Sequence, residues 1–237
     1  MVKAVKGVFV TGTDTGVGKT LVATLLLRAF GEQGWRTAAM KPVAAGARRR
    51  GSAWINDDVE RLRAAASVRS PRALVNPYCF APPIAPHIAA GEAGVSISLP
   101  RIREAYRRLA RNADIVVIEG AGGLLVPLGS NSDTADLPRL LELPVVLVVG
   151  LRLGCINHAL LTVAAMQARG LQLAGWIGNC VLPRMARRAE NIEALRERIN
   201  APLLGVVAHR RGLNPRPSEN RLDIDPLIRV ISERKPN

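Results

Sequence analysis

The sequence is poor in aromatic residues, in cysteine and in lysine. The first two shortages argue against particular kinds of binding site, and the third shows which residue carries the positive charge. Aromatic residues make up 3% of the 237 positions, too few for the stacking platforms on which proteins bind single-stranded nucleic acids. The three cysteines, Cys79, Cys155 and Cys180, are odd in number and widely spaced, which argues against a disulfide framework and against a CxxC metal site. Only five of the 33 basic residues are lysine, so arginines spread along the chain carry most of the positive charge.

Long hydrophobic runs are also lacking. The longest, LPVVLVVGL at 143–151, is followed by Arg152 and is far shorter than the roughly 20 residues that a membrane-spanning helix needs. The first ten residues, MVKAVKGVFV, show neither the long apolar core nor the small-residue cleavage site of a secretory signal. We therefore expect a cytoplasmic protein with no membrane partner.

The formal net charge of +14 would suit a nucleic-acid partner, because clustered Lys and Arg bind phosphate backbones. The densest basic patch, Arg48 to Arg50, lies in a segment that the sequence predicts to be a loop. Since the other arginines are dispersed, a solvated surface is the favoured interpretation, and no nucleic-acid partner is expected. The length and a hydrophobic content of 48% favour one domain over residues 1–237, of which 210–237 form a polar, weakly patterned tail.

Short apolar runs rich in β-branched residues alternate with longer segments of helical period. The predicted strands lie at 7–12, 37–43, 114–120, 144–150, 173–179 and 203–209. The predicted helices lie near 18–31, 57–67, 99–112, 155–169 and 187–199. Several of the runs lack polar alternation, which is typical of strands covered on both faces. The pattern predicts an α/β fold with one doubly wound, mostly parallel sheet and helices on both faces, and irregular loops near the site at 71–100.

The stretch VTGTDTGVGKT, residues 10–20, joins a predicted strand to an apolar predicted helix through a glycine-rich turn. That is the context of a phosphate-binding loop, in which backbone N–H groups and a helix N-terminus surround phosphate oxygens. Lys19 would reach the β and γ phosphates, and the Thr20 hydroxyl would bind Mg²⁺. Five residues separate Gly12 from Gly18, one more than in the common form of the loop. The segment predicts a nucleoside triphosphate site.

Two further segments place charged groups at strand ends. KPVAAG begins with Lys41 at the end of the second predicted strand, where open α/β sheets bind ligands. IEGAGG places Glu119 at the end of the third, a common position for a metal-binding carboxylate in phosphate-loop enzymes. Together with Thr20, such a carboxylate would suit Mg²⁺, which usually takes few protein oxygens beside phosphate and water.

The segment NDD at 56–58 offers the second carboxylate. Asp58 is the predicted metal ligand and Asp57 is its alternative. Because the segment begins a predicted helix, Asn56 or Asp57 would equally serve only as its N-cap.

LGCINHALLT, residues 153–162, begins another predicted helix. Gly154 precedes it, and the N–H groups of Cys155, Ile156 and Asn157 would be able to hold a carboxylate. Every helix has such an end, so this segment by itself identifies no ligand.

Taken in order, the segments GTDTGVGKT, KPVAAG, NPYCFAPPIAPHIAA, VIEGAGG, LVVGLRLGCINHALLT and LAGWIGN resemble those of dethiobiotin synthetases from about residue 5 to 205. The resemblance implies a phosphate-loop cyclo-ligase that makes dethiobiotin from 7,8-diaminononanoate and CO₂, with ATP and Mg²⁺. One amine would take up CO₂ as a carbamate, the carbamate oxygen would attack the γ phosphorus, and the second amine would close the ring. The resemblance also implies a homodimer in which the partner subunit completes each site.

It further implies a role for each matching residue. The triphosphate would be held by Thr15, Gly16, Val17, Gly18, Lys19 and Thr20. The catalytic residues would be Lys41, Lys19 and Thr15. Metal ligands would be Thr20, Asp58 and Glu119, the nucleotide would also contact Gly120, Ala121 and Gly122, and Asn179 would bind the adenine edge. The substrate would contact Ala45 and, through its distant carboxylate, Gly154, Cys155, Ile156 and Asn157.

Three positions depart from the family pattern. Ala45 stands where a hydroxyl residue often contacts the substrate, and Asn191 stands where some members have an aromatic residue. The segment VVAHRRGLNP lacks the Ile-Pro pattern that often covers the adenine, which leaves the role of 208–210 open.

Two alternatives remain from the sequence. A partitioning-type DNA-binding ATPase would suit the high charge, but Asp14 occupies the position of that group's signature lysine. A cobyrinate-type amidating synthetase domain would normally be joined to a glutaminase domain, for which 237 residues leave no room.

Overall fold

Strands and helices alternate along most of the chain. The computed structural model describes residues 7–51, 53–209 and 221–233. The strands, in chain order, are β1 Gly7–Gly12, β2 Thr37–Met40, β3 Val43–Ala44, β4 Arg48–Arg50, β5 Ala53–Ile55, β6 Tyr78–Cys79, β7 Ile115–Glu119, β8 Val145–Gly150, β9 Leu173–Asn179 and β10 Leu203–Val207. The helices are α1 Lys19–Glu32, α2 Asp57–Ala65, α3 Arg72–Val75, α4 Pro86–Glu92, α5 Leu99–Arg111, α6 Asp136–Leu140, α7 Cys155–Ala168, α8 Arg188–Arg198 and α9 Asp225–Glu233.

Six of the strands form one sheet in the order β10-β9-β8-β1-β7-β2. Every pairing within it is parallel. All residues of β1, β7 and β8 are buried, which explains why these strands are apolar, except for Thr11 and Glu119, rather than alternating. The predicted doubly wound sheet is confirmed, and each of its six predicted strands is present.

The two faces of the sheet pack against different helices. On β1, Val8 and Val10 join a core that includes Leu26 of α1 and Leu227 of α9. Phe9, between them, points to the opposite core. That face is covered by α5 over β2 and β7, and by α7 and α8 over β8 and β9. Helices on both faces give the sheet the dry environment that a parallel arrangement requires.

Three stretches differ from the sequence-based predictions. Arg48 to Arg50, predicted as a loop, form β4 and pair antiparallel with β5. Their side chains are all exposed, so no apolar pattern marked the strand, and Gly51 at φ 61° makes the turn. The second predicted strand ends early, at Met40, and Val43–Ala44 pair with β6 instead. The segment 71–100, predicted as loops, contains α3, β6 and α4.

The described part of the predicted weak tail includes helix α9, whose Leu227 and Ile231 are buried against the sheet. Residues 210–220 and 234–237 of that tail lie outside the described residues. Position 210 also belongs to the segment 208–210, whose role the sequence left open. Among the helices that are described, none has both the length and the apolar character to cross a bilayer.

Parallel strands bring their carboxyl ends to one edge of the sheet. The loop after β1, Lys41 after β2, Glu119 in β7 and Asn179 in β9 therefore meet there, although they are far apart in sequence. This edge is where the candidate site lies.

Candidate functional site

The loop between β1 and α1 has the backbone of a phosphate cradle. Gly16 and Gly18 have φ of 76° and 90°, a region that favours glycine. A Cβ on Gly18 would also overlap the amide nitrogen of Asn179. That nitrogen donates to the Val17 carbonyl at 2.8 Å. Because Asn179 is the last residue of β9, this hydrogen bond ties the loop to the sheet. α1 begins at Lys19 with no side-chain cap, and its first N–H groups, which have no acceptor inside the helix, are suited to an anion.

Lys19 folds back over this loop. Its Nζ donates to the Asp14 carbonyl at 3.0 Å, and the residue is 7% exposed. Burial lowers the pKa of Lys19 to about 8, an effect only partly opposed by the charge of Glu119. An ammonium in that position gains from any anion that enters the loop.

Asp14, in the same loop, directs its carboxylate toward the segment that precedes α7. Its Oδ2 pairs with Arg152 at 2.6 Å, and its Oδ1 accepts the Thr15 N–H at 2.7 Å. The hydrogen bond from Thr15, followed by the contact with Arg152, lowers the pKa of Asp14. The loop is thereby tied to the segment that precedes α7.

A lysine held between two carboxylates lies next to the loop. Lys41 Nζ donates to Glu119 Oε1 at 2.6 Å and to Asp58 Oδ2 at 3.0 Å. The Thr20 hydroxyl donates to the same Glu119 oxygen at 2.8 Å. Side-chain exposure is 7% for Lys41, 1% for Glu119 and 37% for Asp58. The structure thus brings the three predicted metal ligands and the predicted catalytic lysine into one cluster.

Charge pairing governs protonation in this cluster. Burial acts to lower the pKa of Lys41, but the charges of Glu119 and Asp58 and the hydrogen bonds they accept outweigh it and raise the pKa. Burial acts to raise the pKa of Asp58, yet the charge and hydrogen bond of Lys41 hold it below its usual value. The lysine is therefore a cation and Asp58 an anion at neutral pH.

The start of α2 shows which of Asn56, Asp57 and Asp58 caps the helix and which faces the cavity. Asn56 is the N-cap, its Oδ1 accepting the N–H groups of Asp58 and Val59. Asp57 points outward and pairs with Arg48 at 2.7 Å. Asp58 faces the cavity.

The residues present fit a divalent cation. Glu119 Oε2 is buried and has no hydrogen-bond partner among the described residues. Because buried polar atoms are rarely left unpaired, this oxygen is suited to bind a ligand. Thr20, Asp58 and Glu119 offer hard oxygen donors, the type that Mg²⁺ takes together with phosphate and water.

The loop and the cluster open into one cavity of about 790 Å³. Of the predicted site residues, those that line it are Thr15, Gly16, Gly18, Lys19, Thr20, Lys41, Ala45, Asp58, Glu119, Ala121, Gly122 and Asn179. Val17 instead packs beneath the loop, 1% exposed, and Gly120 donates its N–H to the Val10 carbonyl at 2.9 Å.

Several lining residues were not predicted. Arg61 lies one turn after Asp58 on α2, 3.6 Å from its Oδ1, and its i,i+3 spacing is the signal that would have found it. Leu21, Val43, Val126, Cys180 and Val181 were not named either. Pro83 to Pro86 lie in the segment 71–100 that was expected near the site, and Ala208 and His209 lie in the segment 208–210 whose role was left open.

The predicted carboxylate site at 154–157 does not line this cavity. Gly154 has φ 91° and precedes α7, as predicted. The Cys155 N–H donates to the Arg152 carbonyl at 3.0 Å, so the chain itself engages one of the three N–H groups. Leu153, next to it, is 96% exposed.

Known proteins resemble the chain over most of its length. A family model described as an AAA domain matches residues 6–217. The ATP-dependent dethiobiotin synthetase BioD of Aromatoleum aromaticum is 57% identical over 207 residues, which are 87% of this chain and 92% of the relative. The protein of the same name from Nitrosospira multiformis is 51% identical over 219 residues, 92% of this chain and 95% of the relative.

The chain belongs to the dethiobiotin synthetase family.

Membership in that family confirms the recognition made from the sequence and the prediction that the chain is an enzyme. A solved structure, the signal recognition particle receptor FtsY of Elizabethkingia anophelis, has a TM-score of 0.52 at 16% identity. The alignment covers 93% of this chain and 63% of that receptor, so the chain spans less than two thirds of the receptor's length. This likeness supports the phosphate-loop fold of the dethiobiotin synthetase chain.

Proposed function

We propose that the protein catalyses the ATP- and Mg²⁺-dependent conversion of 7,8-diaminononanoate and CO₂ to dethiobiotin, in the cytoplasm. The observation that carries the proposal is the cluster in which Lys41 joins Asp58 and Glu119 beside the phosphate loop. It places a buried cation and potential metal ligands at the end of the loop where a γ phosphate would lie. The names of the two relatives point to the same reaction.

The proposed chemistry has three steps. A substrate amine adds to CO₂ and loses a proton, giving a carbamate. A carbamate oxygen attacks the γ phosphorus, ADP leaves, and a carbamic-phosphoric anhydride forms. The second amine then attacks the carbonyl carbon, phosphate leaves, and the ureido ring closes.

The chain's own residues contribute position and charge. The N–H groups of residues 15–20 hold the triphosphate, while Lys19 moves from the Asp14 carbonyl to the β and γ phosphates. Lys41 stabilises the negative charge that gathers between the carbamate and the γ phosphate. Thr20, Asp58 and Glu119 would hold Mg²⁺, which would supply further neutralisation of phosphate charge. No covalent nucleophile is required, because aligning the reactants already removes much of the barrier.

The predicted carboxylate site at 154–157 also enters the proposal. These residues lie outside their own subunit's cavity, so we propose that they bind the distant carboxylate of a substrate held mainly by the partner subunit. Large apolar side chains are exposed in the same part of the chain, with Leu153 at 96% and Leu161 at 61%. Such groups suit an interface better than water, and a twofold homodimer would bury them.

A product assay tests the proposed function. The protein is incubated with Mg-ATP, bicarbonate and 7,8-diaminononanoate, and dethiobiotin and phosphate are measured by mass spectrometry and phosphate release. We expect both products in equal amounts, with ATP hydrolysis dependent on the diamine. ATP hydrolysis stimulated by DNA and indifferent to the diamine would overturn the proposal in favour of a partitioning-type ATPase.

A further inference from the structure

Asp14 accepts hydrogen bonds from two donors of the phosphate loop. Its Oδ1 accepts the Thr15 N–H at 2.7 Å, and its carbonyl oxygen accepts from Lys19 Nζ at 3.0 Å. Backbone N–H groups and the lysine of a phosphate loop are the donors that bind phosphate oxygens. Under the proposed function, a bound triphosphate therefore takes both donors away from Asp14.

The carboxylate of Asp14 also contacts the segment that leads into α7. Its Oδ2 accepts a hydrogen bond from Arg152 Nη2 at 2.6 Å. The carbonyl of Arg152 in turn accepts the N–H of Cys155, the first residue of α7, at 3.0 Å. A chain of hydrogen bonds therefore runs from the phosphate loop to the N-terminus of α7.

A second basic residue of this region acts on the same carboxylate. The pKa of Asp14 is lowered first by the hydrogen bond from Thr15, then by Arg152, and to a smaller extent by the charge of His158. His158 lies in the first turn of α7. The Asp14 carboxylate thus lies close to the start of that helix.

The segment between β8 and α7 depends on this contact for its position. Leu151 is the last residue before Arg152 that the sheet holds, its N–H donating to the Asn179 carbonyl at 2.7 Å. After Arg152, Leu153 is 96% exposed, and a Cβ on Gly154 would have no neighbour within 4 Å. The ion pair with Asp14 is therefore well placed to fix the backbone that enters α7.

Removal of the Thr15 N–H would strengthen this ion pair. Oδ1 of Asp14 would then be able to accept a second hydrogen bond from Arg152, whose guanidinium binds carboxylates through two nitrogens. A firmer Arg152 fixes the carbonyl to which Cys155 donates, and with it the neighbouring N–H groups of Ile156 and Asn157. Donors that are already in place bind an anion more strongly, because less conformational freedom is lost on binding.

We propose that Asp14 and Arg152 are positioning residues, through which a triphosphate in one subunit strengthens carboxylate binding at the start of its α7. The carboxylate belongs to the substrate held mainly by the partner subunit, so the inference rests on the proposed function. Such coupling is reciprocal, and the substrate strengthens nucleotide binding by the same factor. Side-chain exposure is 40% for Arg152 and 48% for Asp14, so we expect a factor of about twofold to fivefold.

Two probes separate this coupling from direct attraction between the bound ligands. 7,8-Diaminononanoate carries the carboxylate, whereas its methyl ester keeps both amines and has no carboxylate. The dissociation constant of each is measured by calorimetry with and without Mg²⁺ and the β,γ-imido analogue of ATP, which allows binding without turnover. We expect the analogue to tighten binding of the acid about twofold to fivefold more than binding of the ester.

Variants of the ion pair test whether it carries that difference. Arg152→Gln should abolish the difference, and Arg152→Lys, which keeps the charge, should retain much of it. Asp14→Asn keeps an acceptor for Thr15 but loses the charge that binds Arg152, so it should also abolish the difference. Circular dichroism verifies the fold of each variant.

Arg169→Gln is the matched control. Arg169 follows the last residue of α7 and pairs with Asp133 at 2.6 Å, with a side-chain exposure of 42%. This ion pair resembles that of Arg152 but lies at the opposite end of the helix, so the difference between acid and ester should remain.

Equal tightening of the acid and the ester in the wild-type protein would overturn the inference. A difference that persists in both Arg152→Gln and Asp14→Asn, or that is lost in Arg169→Gln as well, would also overturn it. Absence of dethiobiotin in the product assay would instead refute the proposed reaction, whereas tightening of the acid that depends on Arg152 would still support the coupling.

Discussion

The phosphate loop and the carboxylate cluster each bring a lysine into the same cavity, but they surround it differently. Lys19 donates to a backbone carbonyl, and burial lowers its pKa to about 8. Lys41 lies between Glu119 and Asp58, which raise its pKa. Both side chains are similarly buried, so the difference comes from neighbouring charge rather than from depth.

This contrast indicates two kinds of positive charge in one site. The charge on Lys19 is costly until an anion arrives, so it adds to the affinity for a triphosphate. The charge on Lys41 is compensated in advance and keeps one position, which suits stabilisation of a transition state. Three predictions test this contrast, in order of decreasing effect.

The largest effect is expected from Lys41→Ala. Removal of the cation should lower kcat for dethiobiotin formation by about 100-fold to 1,000-fold, because the carbamate and the γ phosphate lose a fixed countercharge. Product formation under saturating Mg-ATP measures it, and circular dichroism verifies the fold. The control is Arg61→Ala, which removes a half-exposed cation of the same cavity and should cost less than about tenfold. Near-normal turnover in Lys41→Ala would show that the catalytic lysine lies elsewhere.

A proton should accompany the nucleotide into the loop at alkaline pH. With a pKa of about 8, Lys19 is partly neutral at pH 8.5, and a bound triphosphate raises its pKa again, so the wild-type protein should take up roughly three quarters of a proton on binding Mg-ATP. ATP affinity should accordingly fall as the pH rises through about 8. Calorimetry in buffers of different ionisation enthalpy measures the uptake.

Two variants isolate the contribution of Lys19 to this uptake. Lys19→Ala should bind Mg-ATP at least about tenfold more weakly and take up no proton. Lys19→Arg should also take up none, since a guanidinium stays protonated throughout this range. Uptake that persists in both variants would assign the titration to another group.

The smallest effect is expected from Asn157→Ala, which lies outside the cavity that holds both lysines. If the residue only positions a remote carboxylate, the KM for 7,8-diaminononanoate should rise by about tenfold while kcat stays within about twofold. Steady-state kinetics with saturating ATP separate the two constants. A fall in kcat without a change in KM would contradict the positioning role.

Much of the fold was predictable because its signals are local. The strands β1, β7 and β8 are apolar except for Thr11 and Glu119, and predicted helices of regular period follow β1 and β8, so much of the alternation that makes a doubly wound sheet is visible in the sequence. The phosphate loop was predictable for the same reason: its glycines, Lys19 and Thr20 are consecutive or nearly so. The pairing of Arg48 to Arg50 with β5 was not, because exposed strands held by backbone hydrogen bonds carry no apolar signal.

The candidate site was only partly predictable. Lys41 and Glu119 were found because strand ends converge in any parallel sheet. The choice of Asp58 over Asp57 needed the phase of α2, since neighbouring helix positions differ by about 100° in direction. Arg61 was missed because the phase of α2 decides which of its side chains reach the cavity. His209, in the segment 208–210 whose role the sequence left open, reaches the cavity only through the pairing of β10 with β9.

The sequence was sufficient to identify the six strands of the main sheet, the phosphate loop and membership in the dethiobiotin synthetase family, because these follow from residues close together along the chain. The folded structure was needed to show which carboxylates pair with Lys41 and why Lys19 and Lys41 differ in pKa. Those properties depend on distances between side chains on separate strands and on the burial that packing creates, and neither quantity is set until the sheet is assembled.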